Sequence, residues 1–173
     1  MSDTRWSPKA TTFWPVLVAI YSADFISKRI AVAELSPAYV PHEIIGNFLR
    51  FTLAYNKDAA MGLSLGSHSR VGFTVTAVIV LTVLLVLYAK TPKNDKWPAL
   101  ALGMIVAGAL GNLTDRLVSS MGVVDFIDVG LGTSRFYTFN VADSAITCGA
   151  ILLALLSLKD GARESETQRE SKL

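Results

Sequence analysis

Four aspartates, Asp115, Asp125, Asp128 and Asp143, fall within the stretch Gly111–Asp143, which lies between two long apolar runs. Asn112 and Asn140 stand at the ends of those runs. A carboxylate at or near a bilayer is costly, so an ionisable residue there marks a candidate functional site. Two carboxylates that share one site do not both ionise readily; one keeps its proton and the other becomes a base. Such a pair can take a proton from water while giving one to a peptide carbonyl, which is the chemistry of an aspartic protease. The residues alone leave a second reading open, because channels and transporters also place Asp within membranes. The alternative is therefore a small membrane transporter or scaffold that uses the same polar residues as an ion path.

Zinc-dependent hydrolysis lacks its residues, for there is no H-E-x-x-H. His42 and His68 lack metal-ligand spacing and read as solvated. Ser27 and Lys28 are neighbours in sequence and project in different directions on a helix, which makes a poor dyad. The single cysteine, Cys148, sits in an apolar run, excludes an intrachain disulfide, and reads as a small buried hydrophobe.

The elements that must position these groups follow from hydropathy. Of 173 residues, 51% are hydrophobic and 17% charged, with a mean hydropathy of +0.44. That balance indicates one membrane domain, 1–173. A net charge of +2 is too small to argue for nucleic acid. The expected fold class is an all-α integral membrane protein with four transmembrane helices, at about 12–33, 71–89, 97–118 and 139–158. A signal peptide over the first span is disfavoured, since Tyr21 would occupy the −3 position of a cleavage site. The segment 34–70 opens with Pro37 and Pro41, then alternates apolar and polar residues from Phe48 to Asn56. That period of two predicts a strand and a small extramembrane β-cradle on the outer side. The tail, 159–173, is highly charged and is expected to be disordered and cytoplasmic.

Arg5, Lys9, Lys90, Lys93, Lys96, Lys159, Arg163, Arg169 and Lys172 fall in the N-terminus, the 90–96 loop and the tail. Positive residues favour the cytoplasm, so both termini are expected inside. Asp115 then lies 18 residues past Trp97, roughly 27 Å along a helix and close to the outer surface. Asp24 and Lys28 share the outer half of the first span, and Asp143 lies one turn into the fourth. Ala99, Gly103, Ala107, Gly111 and Asp115 recur every four residues, a spacing that lets another helix approach closely. Asn140, Asp143, Ser144 and Thr147 form one polar stripe. Asp24–Lys28, an i, i+4 pair, and Asp115–Arg116 read first as ion pairs that hold helices together, whereas Asp125 and Asp143 read as functional. The second span carries only Thr74, Thr76 and Thr82 as polar groups, and the inner half of the fourth is almost wholly apolar. A site open to one side is favoured over a path through the membrane.

The motifs Asp24-Phe-Ile-Ser-Lys28, Asn56-Lys-Asp-Ala-Ala60, Gly111-Asn-Leu-Thr-Asp-Arg116, Val124-Asp-Phe126 and Phe139-Asn-Val-Ala-Asp143 occur in this order. In that arrangement the chain, from about residue 13 to 158, resembles the lipoprotein signal peptidase (signal peptidase II) family. The resemblance implies an aspartic endopeptidase of the bacterial cytoplasmic (inner) membrane, active at its outer face. It would cleave prolipoproteins before a lipobox cysteine that already carries diacylglycerol. It further implies Asp125 and Asp143 as the catalytic dyad, supported by Asn112 and Asn140. Asp115 and Arg116 would brace the site, with Asp24 and Lys28 beside them, and Asn56 would contact substrate. No cofactor or metal is implied; the partners would be prolipoproteins and membrane lipid, not nucleic acid, and the enzyme would be a monomer. The family usually has Gly where this chain has Asp58 and an aromatic residue where it has Met61, which bears on the path of the loop after Asn56.

Overall fold

The computed structural model describes residues 6–57 and 69–170. Its element order is α1 (Pro8–Glu34), β1 (Pro41–Ile45), β2 (Leu49–Asn56), α2 (Ser69–Lys90), α3 (Lys96–Val118), β3 (Val123–Leu131), β4 (Ser134–Arg135) and α4 (Val141–Glu170). The expectations at Asp58, Met61 and His68 lie outside the described residues.

Three of the described helices are long and apolar enough to cross a membrane: Val71–Lys90, Lys96–Val118 and Val141–Gln168. The first helix is 27 residues long but carries Asp24, Lys28 and Arg29 in its second half. It begins earlier than expected because Ser7 is its N-cap, accepting from the Ala10 N–H, and Pro8 follows at the first turn.

Helix α3 is the central element and packs against α1, α2 and α4. Its glycines show how the helices run. Added side-chain carbons at Gly103 and Gly111 would meet Phe13 and Asp24, respectively, so α1 and α3 are parallel. Gly108 abuts Ala142, and Gly149 abuts Ala101, so α4 is antiparallel to both. The small-residue stripe read from the sequence is thus the seam against α1, while Gly108 makes a second seam against α4. At the far end from Asp24, the Lys9 ammonium donates to the carbonyls of Tyr88 and Thr91, both at 2.8 Å. It caps the C-terminal turn of α2, where unpaired carbonyls and the helix dipole favour a cation. Phe13, fully buried, stacks on Tyr88 beside it.

At the other end lies a four-stranded antiparallel sheet in the order β1-β2-β3-β4. The sequence foresaw β2 but not its main partner β3, because a strand's partner in a distant part of the chain leaves no local trace. Between Phe51–Ile127 and Ala54–Asp125 the register shifts by one residue on β2, a β-bulge.

Two expectations need correction. The tail is not without structure through its described part, for α4 continues to Glu170. Adding residues to a formed helix costs little, and Ala162, Glu164, Glu166, Gln168 and Arg169 are good or acceptable helix formers. Cys148 is exposed rather than buried, because α4 turns Ala145 and Gly149 toward its neighbours and leaves Cys148 on the uncovered side.

Candidate active site

The fourth helix opens at Asn140, which is its N-cap rather than part of its polar stripe. Asn140 Oδ1 accepts the Asp143 N–H at 3.0 Å, and Asp143 Oδ2 accepts the Asn140 N–H at 3.2 Å. This reciprocal pair is a capping box with Asn and Asp in its two roles. The N–H of Ala142 is satisfied from another helix, by Asp24 Oδ1 at 2.9 Å. Asp143 therefore sits where the helix dipole favours a negative charge. Phe139, expected inside the span, instead bridges to Ile127, and its carbonyl accepts the N–H groups of Phe126 and Ile127.

That bridge brings β3, and with it Asp125, against the start of α4. Asp125 is 3% exposed. Its Oδ1 accepts from Asn140 Nδ2 at 2.7 Å, and its Oδ2 from Asn56 Nδ2 at 3.3 Å. Asn56 reaches it because Ala54 pairs with Asp125, and residues two apart on a strand share a face. The chain must pass very close to Asn56 at Gly122, where φ is +96° and any side chain would strike the Asn56 carbonyl.

Helix α3 supplies the groups between the two aspartates. Asn112 Nδ2 donates to Asp143 Oδ1 at 2.8 Å, and Asn140 Nδ2 lies 3.1 Å from Asn112 Oδ1. Asp143 and Asp125 are thus joined through two side-chain amides. Asp115 Oδ2 accepts the Val124 N–H at 3.2 Å, tying α3 to the residue before Asp125. Arg116 Nη1 donates to the Asn112 carbonyl at 3.2 Å, and its charge acts on Asp143, Asp125 and Asp115.

From α1, the Lys28 ammonium reaches Asp24 Oδ2 at 2.8 Å, Asp115 Oδ2 at 3.0 Å and Asn112 Oδ1 at 2.9 Å. A methyl at Gly111 would collide with the Asp24 carboxylate, so the glycine lets this cluster close. Lys28 and Asp24 are almost wholly buried, and a buried charge is tolerated when paired and hydrogen-bonded.

Burial, and secondly the Asp143 charge, push the Asp125 carboxyl up to about 7; bonds from Asn56 and Asn140 and the Lys28 charge oppose this only in part. Asp125 thus differs sharply from an ordinary carboxylate, and beside a second carboxylate it can hold a proton at neutral pH.

All nine site residues expected from the sequence, Asp24, Lys28, Asn56, Asn112, Asp115, Arg116, Asp125, Asn140 and Asp143, meet at this end. Asp128 does not join them. Its carboxylate accepts from Arg135 Nε at 2.6 Å and Thr52 Oγ1 at 3.1 Å, and Arg135 also holds the Asn47 carbonyl at 2.8 Å. Sequence reasoning missed Gly122 and Arg135 as positioning residues. A Gly before two valines was the available signal for the first; for the second there was none.

The chain can now be set beside known proteins. The family described as Signal peptidase (SPase) II matches residues 16–159. The chain is 40% identical over 161 residues to a lipoprotein signal peptidase of Streptomyces coelicolor, covering 90% of this chain and 74% of that one. It is 37% identical over 145 residues to that of Staphylococcus haemolyticus, covering 84% and 89%. A solved bacterial membrane enzyme superposes with a TM-score of 0.79 at 32% identity, covering 88% of this chain and 91% of the other. A second bacterial membrane enzyme gives 0.75 at 33% identity, covering 87% and 94%. By sequence and by fold, the chain belongs to the signal peptidase II family.

Proposed function

We propose that the protein is an aspartic endopeptidase that removes signal peptides from diacylglyceryl-modified bacterial prolipoproteins, cutting before the lipidated cysteine. The observation that carries this reading is the pairing of Asp125 and Asp143 through Asn112 and Asn140, with Asp125 raised to about 7. Asp125 enters the reaction protonated and Asp143 as the base. Asp143 takes a proton from water as its oxygen bonds to the scissile carbonyl carbon, and Asp125 gives its proton to the carbonyl oxygen. The tetrahedral intermediate then returns a hydroxyl proton to Asp125. The Asp143 proton passes to the departing nitrogen as the carbon–nitrogen bond breaks. Each carboxyl ends as it began. Because the pair titrates together, its pH profile belongs to the dyad.

In this reading α1 is a fourth span, both termini are cytoplasmic, and the sheet lies on the outer face of the cytoplasmic membrane. The enzyme acts as a monomer. The buried polar side chains cluster at one end of the bundle, as befits a site open to one face and not an ion path. A lipidated cysteine could remain in the bilayer while its peptide reaches the dyad. The test is cleavage by the purified protein of a diacylglyceryl-modified lipobox peptide beside its unlipidated counterpart. Strong preference for the lipidated peptide is expected, and equal cleavage would overturn the assignment.

A further inference from the structure

Two of the asparagine amides that meet the aspartates, Asn112 and Asn140, have orientations fixed by their other contacts. An amide can present either its oxygen or its NH2 group to a neighbour. An ammonium has only donors, so the Asn112 atom 2.9 Å from Lys28 Nζ must be its oxygen. The Asn112 NH2 group is thereby turned onto Asp143 Oδ1. The same oxygen accepts from Asn140 Nδ2, whose other bond goes to Asp125 Oδ1. The Asn140 oxygen is meanwhile held by the Asp143 N–H.

We propose that Lys28 is a positioning residue that, together with Asn140 Nδ2, holds the Asn112 oxygen and so keeps the Asn112 NH2 group directed onto Asp143. It does not touch the reacting atoms. Its ammonium lies at the origin of a series of donors running Lys28 to Asn112 to Asp143, with Asn140 donating to both Asn112 and Asp125. Without the ammonium, the Asn112 oxygen keeps only the contact from Asn140 Nδ2, and the Asn112 NH2 group is held less firmly on Asp143 Oδ1. Asp24 and Asp115 serve this arrangement by holding the ammonium in place at 2.8 and 3.0 Å. The inference rests on the proposed peptidase reading and gives Lys28 a specific part in it.

The experiment uses the full chain in lipid, with the lipidated lipobox peptide, measuring kcat, KM and thermal unfolding. Lys28→Met, Lys28→Gln, Asn112→Ala and the corresponding double variants are compared. Lys28→Met is expected to lower kcat roughly 10- to 100-fold, the scale of a lost hydrogen bond to a charged group, with KM changed less than about twofold. Lys28→Gln, which keeps an N–H donor, is expected to recover part of that loss. On the Asn112→Ala background, either Lys28 change should cost little further kcat, because the residue through which it acts is already gone. Full additivity in kcat, or a loss confined to KM, would overturn the proposal. If neither Lys28 variant folds, Lys28 belongs to the fold alone, which likewise overturns it. Asn112→Asp is an independent arm, since it keeps an oxygen for Lys28 but removes the donor to Asp143. Undiminished kcat in that variant would also sink the idea. A wild-type protein that does not cleave the peptide would instead refute the peptidase reading itself.

Discussion

Asn140 and Asp143 cap one another: the side chain of each accepts the backbone N–H of the other, at 3.0 and 3.2 Å. The same Asn140 amide donates to Asp125 at 2.7 Å. A local device for starting a helix thus also links two aspartates that lie on different elements. The helix start and the dyad are built from the same atoms, so damage to one reaches the other.

The dyad gives the first prediction. Asn is nearly isosteric with Asp but does not exchange a proton at neutral pH. Asp125→Asn and Asp143→Asn should each reduce cleavage to background while leaving the protein folded and able to bind substrate. The double variant should be hardly slower than either single one, since the two act as a unit. Cleavage rates with thermal unfolding as the folding control decide this; near-normal turnover in either variant would exclude the mechanism.

A second prediction concerns pH. The Asp125 carboxyl titrates at about 7 in the folded protein against 3.8 for an ordinary aspartate, so the folded state binds more protons between those values. Its contribution to stability is complete below about pH 3.8 and declines as pH rises to about 7. Asp125→Asn should remove this decline, and unfolding temperatures of the two proteins across that range should diverge as pH rises. Parallel curves would mean that Asp125 is ionised throughout.

Asp128 serves as the contrasting carboxylate. It lies three residues from Asp125 yet binds Arg135 and Thr52. Asp128→Asn should keep substantial turnover while lowering stability by about 1.5–3 kcal/mol, the range for a hydrogen bond to a charged group. Loss of turnover in a folded Asp128→Asn protein would mean that the wrong pair had been chosen.

Close backbone approach yields a fourth prediction. A methyl at Gly122 meets the Asn56 carbonyl, at a φ of +96° that side chains rarely adopt. Gly122→Ala should destabilise the protein by about 1–3 kcal/mol and shift Asn56 from Asp125, raising KM. Kinetics matching wild type would separate Asn56 from substrate binding.

Topology gives the fifth. The Lys9 N–H donates to the Lys93 carbonyl at 3.0 Å, so these two positions share one end of the bundle, opposite the sheet. Reporter fusions after Lys93 and after Lys172 should mark the cytoplasm, and fusions at Pro41 or Thr133 the outer side. An outer signal at Lys93 would invert the arrangement and place the dyad on the wrong face.

The sequence by itself determined the apolar helices, the strand ending at Asn56, and which polar residues would be costly enough to need a purpose. Those are local properties: hydropathy over twenty residues, a period of two, and the expense of a carboxylate in an apolar run. Family motifs then singled out Asp125 and Asp143. Only the tertiary structure decided the partners. In the sequence Asp115 stands beside Arg116, yet its carboxylate meets Lys28 from another helix and the N–H of Val124 from a strand. Asp24 caps Ala142, 118 residues away. Asp125 and Asp128, neighbours on one strand, part company, the first bonding to Asn140 and Asn56 and the second to Arg135 and Thr52. Helical and strand periodicity state which way a side chain leaves its own backbone; which group it meets depends on how the elements pack. Here that packing is set by glycines at Gly103, Gly108 and Gly111, where the absence of a side chain lets α1 and α4 close on α3 and brings the charged residues within bonding distance.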